Sequence, residues 1–129
     1  MIIYSFDTGI TTGVSAYDTD KGEVVFRVVD ENGLVNILMS FYEGLKPDFV
    51  VIERIPTSSE YTLLKLFQQV VDTCVILSIS FRIIAPTTWK PIAKARNWKC
   101  SAPIIHERDS FCLLRYFLLA NHKFDIGDV

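Results

Sequence analysis

The chain has little sulfur with which to crosslink itself: three cysteines in 129 residues, Cys74, Cys100 and Cys112, widely spaced and odd in number. They form no CxxC pair and no Cys/His cluster, which excludes a disulfide framework and a zinc site as readings of the sequence. Cys74 and Cys112 sit in apolar runs and read as small core residues. Long hydrophobic runs are also lacking. The richest, Val70–Phe81, is broken by Asp72, Ser78 and Ser80 and falls short of the roughly eighteen residues a membrane span needs. The opening run Ile2-Ile3-Tyr4-Ser5-Phe6 has neither the basic region nor the cleavage site of a signal peptide, so a reducing cytoplasm is the expected compartment. Repeats and linkers are absent. With 50% hydrophobic and 22% charged residues, the chain is excluded from the disordered class and fits one domain over residues 1–129.

Acid is missing from one long stretch. Between Thr73 and His106 there is no Asp or Glu, against Arg82, Lys90, Lys94, Arg96 and Lys99. The net charge of −2 hides this: residues 1–60 carry four basic and ten acidic side chains, residues 61–129 nine basic and five acidic. A local positive surface is therefore expected on an acidic protein, although a solvated basic loop would read the same way.

Periodicity predicts the element order. Ile2, Tyr4 and Phe6 alternate with Ile3, Ser5 and Asp7 at strand spacing. Val14–Tyr17 and Glu23–Val29 are further strands, separated by the Asp20-Lys21-Gly22 turn, and together the three suggest an antiparallel meander. Leu34, Ile37, Leu38, Phe41 and Leu45 recur as a helix face, with Gly33 before it and Gly44 and Pro47 near its end. Phe49–Ile52 is a continuous apolar run, the pattern of a strand buried on both faces. Thr57-Ser58-Ser59-Glu60 reads as a capping box opening a helix to Ser78. Phe81–Ala85 is a fifth strand, residues 86–101 read as turn-like and basic, and a last helix is expected from Ser101–Pro103 to about Asn121. The order β-β-β-α-β-α-β-α describes an α/β domain, a mixed five-stranded sheet with helices on its faces.

The acids fall at telling places on this skeleton. Asp7 ends the first strand and Glu53 the fourth, where sheets of this kind bind ligands. His106 and Asp109, three residues apart, share one helical face, whereas Glu107 and Arg108 lie about 100° and 200° around from His106. If strands one and four are neighbours, Asp7 and Glu53 come together, and two crowded carboxylates call for a neutralising cation. Oxygen-rich donors with few soft ligands suit Mg²⁺ or Mn²⁺, and two such ions about 4 Å apart can hydrolyse a phosphodiester. Each residue also has a plainer reading: Asp7 as a turn former before Gly9, Glu53 as the ion-pair partner of Arg54 or Arg82, His106 as a structural histidine.

These residues resemble the RuvC-like Holliday-junction resolvases of the ribonuclease H superfamily. The likeness lies in Phe6-Asp7-Thr8-Gly9 with Thr12-Gly13, in Val51-Ile52-Glu53-Arg54, and in His106-Glu107-Arg108-Asp109-Ser110, where Ser110 stands in place of the usual alanine. Pro86-Thr87-Thr88-Trp89-Lys90 is similar to the segment where the family carries a functional lysine. The resemblance implies a ribonuclease H-like fold and a metal-dependent endonuclease resolving four-way and other branched DNA by paired nicks that leave 5′-phosphates. It implies two Mg²⁺ ions, with Mn²⁺ able to substitute, held by Asp7, Glu53, His106 and Asp109, and Lys90 near the scissile phosphate. It further implies a homodimer, with helix 57–78 in the position of the family's dimer contact, and the small size suggests a phage-encoded version acting in a bacterial host's cytoplasm. DNA contacts would come from Lys90, Lys94, Arg96 and Lys99, with Arg82 and Lys65 as further suppliers of charge. Trp89 and Trp98 are candidates either for stacking on unpaired bases or for anchoring core and loop. The stretch between Lys90 and His106 is shorter than in bacterial resolvases.

Two rival readings remain. Asp7–Gly13 also looks like the first phosphate loop of sugar-kinase and actin-like ATPases, which need two lobes where this chain has room for one. The other rival is a non-catalytic relative of the same fold that binds nucleic acid or a partner.

Overall fold

A computed structural model describes residues 1–129. Five strands, β1 (Ile2–Asp7), β2 (Thr12–Asp18), β3 (Glu23–Val29), β4 (Phe49–Glu53) and β5 (Ser80–Ile84), form one sheet in the order β3-β2-β1-β4-β5. The expected meander is present: β1–β2 and β2–β3 are antiparallel, closed by the Gly22 turn at φ 66°, while β4 pairs parallel with β1 and with β5. Parallel pairing requires crossovers. These are α1 (Glu31–Ser40), between β3 and β4, and α2 (Tyr61–Ile76), between β4 and β5, followed after the sheet by α3 (Pro86–Ala95) and α4 (Ile105–His122).

Strand alternation divides the core in two. Phe6, Val50 and Ile52 face α1 and α2, packing with Leu34, Ile37, Leu66 and Val70. Ile3, Val51 and Ile84 face the other way, onto Trp89 of α3 and Leu113, Leu114, Phe117 and Leu118 of α4. Period two then decides where the strand-end acids point. Asp7 is in step with Ile3, and Glu53 with Val51, so both project toward the α3/α4 layer.

Four boundaries differ from the sequence expectation. Residues 86–95 are helical rather than turn-like. Pro86 occupies the first helical position, where its missing N–H costs nothing, and burial of Trp89 outweighs the ladder bond lost at Pro91. The Thr57–Glu60 capping box does not form: Ser59 N–H bonds the Pro56 carbonyl in a turn, and α2 begins beyond Glu60 with no side-chain cap. Gly33 lies inside the first turn of α1, not before it, because Asp30 is the cap and accepts the Gly33 N–H at 2.8 Å. The last helix starts at Ile105 rather than 101–103; Ser101 is instead tied to the C-terminal tail, its N–H donating to the Val129 carbonyl.

That last bond belongs to a clasp at the C-terminus. The buried guanidinium of Arg115 donates to Asp125 Oδ1 and Asp128 Oδ1, each at 2.6 Å, and stacks on Trp98 at 4.5 Å. Asp128 Oδ1 also accepts the Lys99 N–H at 2.9 Å. Trp98 is thus a loop anchor, and the tail is sewn to the α3–α4 connection. No helix is long and apolar enough to cross a membrane.

Candidate active site

Asp7 and Glu53 end adjacent parallel strands, one step beyond the Phe6–Ile52 pair, so their side chains emerge together. The N-terminal turns of α4 close over them. His106 Nδ1 stands 3.1 Å from Asp7 Oδ2, and Asp109 follows on the same helical face. Glu53 does not pair with Arg54 or Arg82. Its Oε2 accepts the Trp89 Nε1–H at 2.7 Å in a buried contact, which also removes Trp89 as a base-stacking candidate. Lys90, next along α3, holds its ammonium 5.5 Å from the Trp89 ring centroid, and its positive charge reaches Asp7, Glu53 and Asp109. Asp7 forms no turn cap: the Gly9 N–H is taken by Thr12 Oγ1 instead.

The close approach of α4 is built by small residues. A Cβ placed on Gly13 would lie 2.0 Å from the His106 carbonyl oxygen, so only glycine lets the helix come so near. Beneath, the Ser5 hydroxyl donates to the Ser110 carbonyl at 2.6 Å. Ser110 Oγ donates to the Glu107 carbonyl and stands 2.7 Å from Ser15 Oγ. Ser110, where the family pattern has alanine, is thus fastened to two strands. Sequence reasoning overlooked Trp89 as the partner of Glu53 and these three serines as a seat for α4. The available signal was hydroxyls at inward positions of β1 and β2.

Electrostatics follow from crowding. Burial raises the pKa of Glu53 to about 7, helped by the neighbouring Asp7 charge and opposed by the Trp89 hydrogen bond and Lys90. Burial likewise raises Asp7, against the lowering pull of His106 and Lys90, and raises Asp109, with the Asp7 charge adding to it. Three carboxylates that each resist ionisation are short of positive charge. Thr8 Oγ1, beside Asp7, is buried without a hydrogen-bond partner. This hard-oxygen donor set fits a divalent cation of the Mg²⁺ type. No three of these side chains are already arranged as a metal cage; Asp7 Oδ2 faces His106 and Glu53 Oε2 faces Trp89.

The basic residues divide. Lys90 and Lys94 line one groove on α3 together with Pro86, Thr87 and Pro91. Arg96 lies within electrostatic reach of Asp125 in the C-terminal clasp, and Lys99 is held there by its backbone. Lys65 is on α2, whose helix packs on the opposite face of the sheet, away from the acids.

A mixed sheet ordered β3-β2-β1-β4-β5, carrying acids at the ends of β1 and β4 and on the last helix, defines an α/β domain of the ribonuclease H-like, RuvC-like resolvase fold. Three solved structures carry the comparison. A Thermus thermophilus RuvC in complex with a Holliday junction substrate matches with TM-score 0.63 at 12% identity, over 93% of this chain and 96% of that one. A second Thermus thermophilus RuvC structure matches at 0.61 and 13%, over 97% and 99%. The fowlpox virus Holliday junction resolvase matches at 0.58 and 14%, over 93% and 99%. No family model and no curated protein matches the sequence.

Proposed function

We propose that the chain is a metal-dependent endodeoxyribonuclease that nicks branched DNA, four-way junctions among them, by phosphodiester hydrolysis. The observation that carries this reading is that Asp7 lies within hydrogen-bond reach of His106 and electrostatic reach of Glu53 and Asp109, residues of three separate elements, with the ionisation of all three acids opposed by burial. The resolvase fold of the structural neighbours supports it.

Asp7, Glu53, His106 and Asp109 would hold Mg²⁺ or Mn²⁺, two ions in the full site. Such ions supply an activated water and stabilise the leaving oxygen. The protein's own groups prepare that chemistry. Trp89 fixes Oε2 of Glu53 through its indole N–H. Asp7 orients the His106 ring through Nδ1. Lys90 offers a cation to the phosphate oxygens. A homodimer, with α2 as its contact, would present two such sites to two strands; Tyr61, Val75 and Ile76 on that helix are exposed.

The deciding experiment is a nicking assay on a synthetic four-way junction and on linear duplex, with and without Mg²⁺. Symmetric, ligatable nicks in the junction are expected, and Asp7→Asn should abolish them while junction binding is kept or improved. Binding without any cleavage in Mg²⁺ or Mn²⁺ would favour the non-catalytic reading.

A further inference from the structure

With Trp89 holding Glu53, Arg54 and Arg82 are left without acidic partners: neither takes part in an ion pair. Instead both line an open cavity of about 420 Å³, beside Thr88 of α3 and Tyr116 of α4, and no acid is among its lining residues. Arg82 is held in place there, its guanidinium 5.9 Å from the Phe117 ring centroid and hydrogen-bonded to Asn121 Oδ1. Two guanidinium groups without counter-ions, flanked by hydroxyl-bearing side chains, form a recognition set for a phosphate oxyanion.

Its place relative to the acids gives it a meaning. Arg54 directly follows Glu53, and its N–H bonds the Ile84 carbonyl, so the cavity opens one strand away from the carboxylates, about 4.8 Å across the sheet. The first turn of α3 borders both openings, lending Thr88 to this cavity and Pro86 and Thr87 to the groove of Lys90 and Lys94. Cations therefore flank that turn on both sides. We propose that Arg54 and Arg82 form a backbone-phosphate site for the nucleic-acid strand passing the Asp7–Glu53–Asp109 cluster. They hold the strand on its β5 side, as Lys90 and Lys94 hold it on the α3 side. The proposal rests on DNA being the substrate.

The test is equilibrium binding of a four-way junction in EDTA across a salt series, with nicking in Mg²⁺ as the separate readout of the underlying function. Arg54→Gln, which breaks no hydrogen bond or ion pair of the fold, should leave melting unchanged. It should weaken binding about fivefold and lower the slope of log affinity against log salt by about 0.9. Arg82→Lys keeps the charge and the packing stem, so a folded variant with a smaller loss is expected, its melting curve showing that it is folded. Lys65→Gln, on the far layer, should leave the slope unchanged. If wild type binds the junction while Arg54→Gln binds equally well with the same slope, or if Lys65→Gln loses as much, the phosphate site is refuted and the nuclease reading stands. If wild type binds no DNA at all, both fall.

Discussion

Replacing Glu53 by glutamine should make the metal-free protein more stable at neutral and alkaline pH. Burial raises this carboxyl from 4.5 to about 7, so the folded state keeps a proton that the unfolded state has already released. Stability is therefore unaffected below the unfolded value, falls as pH rises from 4.5 toward 7, and carries the whole penalty above that. A gap of about 2.5 units corresponds to about 3 kcal/mol, an order-of-magnitude figure for a group only 9% exposed. Glutamine removes the ionisation yet keeps an oxygen to accept the Trp89 Nε1–H. For a chain of 129 residues, 3 kcal/mol amounts to a rise in Tm of roughly 10 °C. Circular-dichroism melts in EDTA, from about pH 4.5 to about pH 8.5, should show the curves of variant and wild type meeting at the acid end and parting as pH rises. Millimolar Mg²⁺ should then stabilise wild type more than the variant and narrow the gap. A variant that is less stable than wild type at alkaline pH without metal, or a difference independent of pH, would refute the account of an acid cluster short of positive charge.

Other perturbations follow from the same structure. Gly13→Ala drives a methyl group into the His106 carbonyl, and overpacking of this kind costs about 1–3 kcal/mol; nicking should suffer more than melting does, because the displaced turn of α4 carries His106 and Asp109. Trp89→Phe deletes the N–H that favours the ionised form of Glu53, so the pH at which wild type and variant lose stability should differ, with the variant's Glu53 titrating higher. Arg115→Met leaves Asp125 and Asp128 without their guanidinium and uncovers Trp98, a loss of about 2 kcal/mol measurable by urea denaturation. In wild type that guanidinium holds Asp125 below the usual carboxylate range, so the clasp's contribution is present at neutral pH and lost on acidification, and the methionine variant should lack this acid-side dependence.

Alternation and helical spacing were sufficient to read the five strands, the three-stranded meander, α1, α2 and α4 from the chain alone, because each element carries its own apolar period. The same periods named Asp7 and Glu53 as strand-end acids and set His106 and Asp109 on one helical face. What pairing alone decided is that β1 and β4 are parallel neighbours, which puts two carboxylates from positions 7 and 53 side by side. Long-range packing made a helix of Pro86–Ala95, a stretch that reads as turn-like and basic, because burying Trp89 against the sheet outweighs a local preference. The partner of Glu53 was equally illegible: charge pointed to Arg54 or Arg82, and an indole N–H took the place. Local periodicity is written in adjacent residues, whereas the identity of a neighbour depends on which faces meet, and only the folded chain settles that.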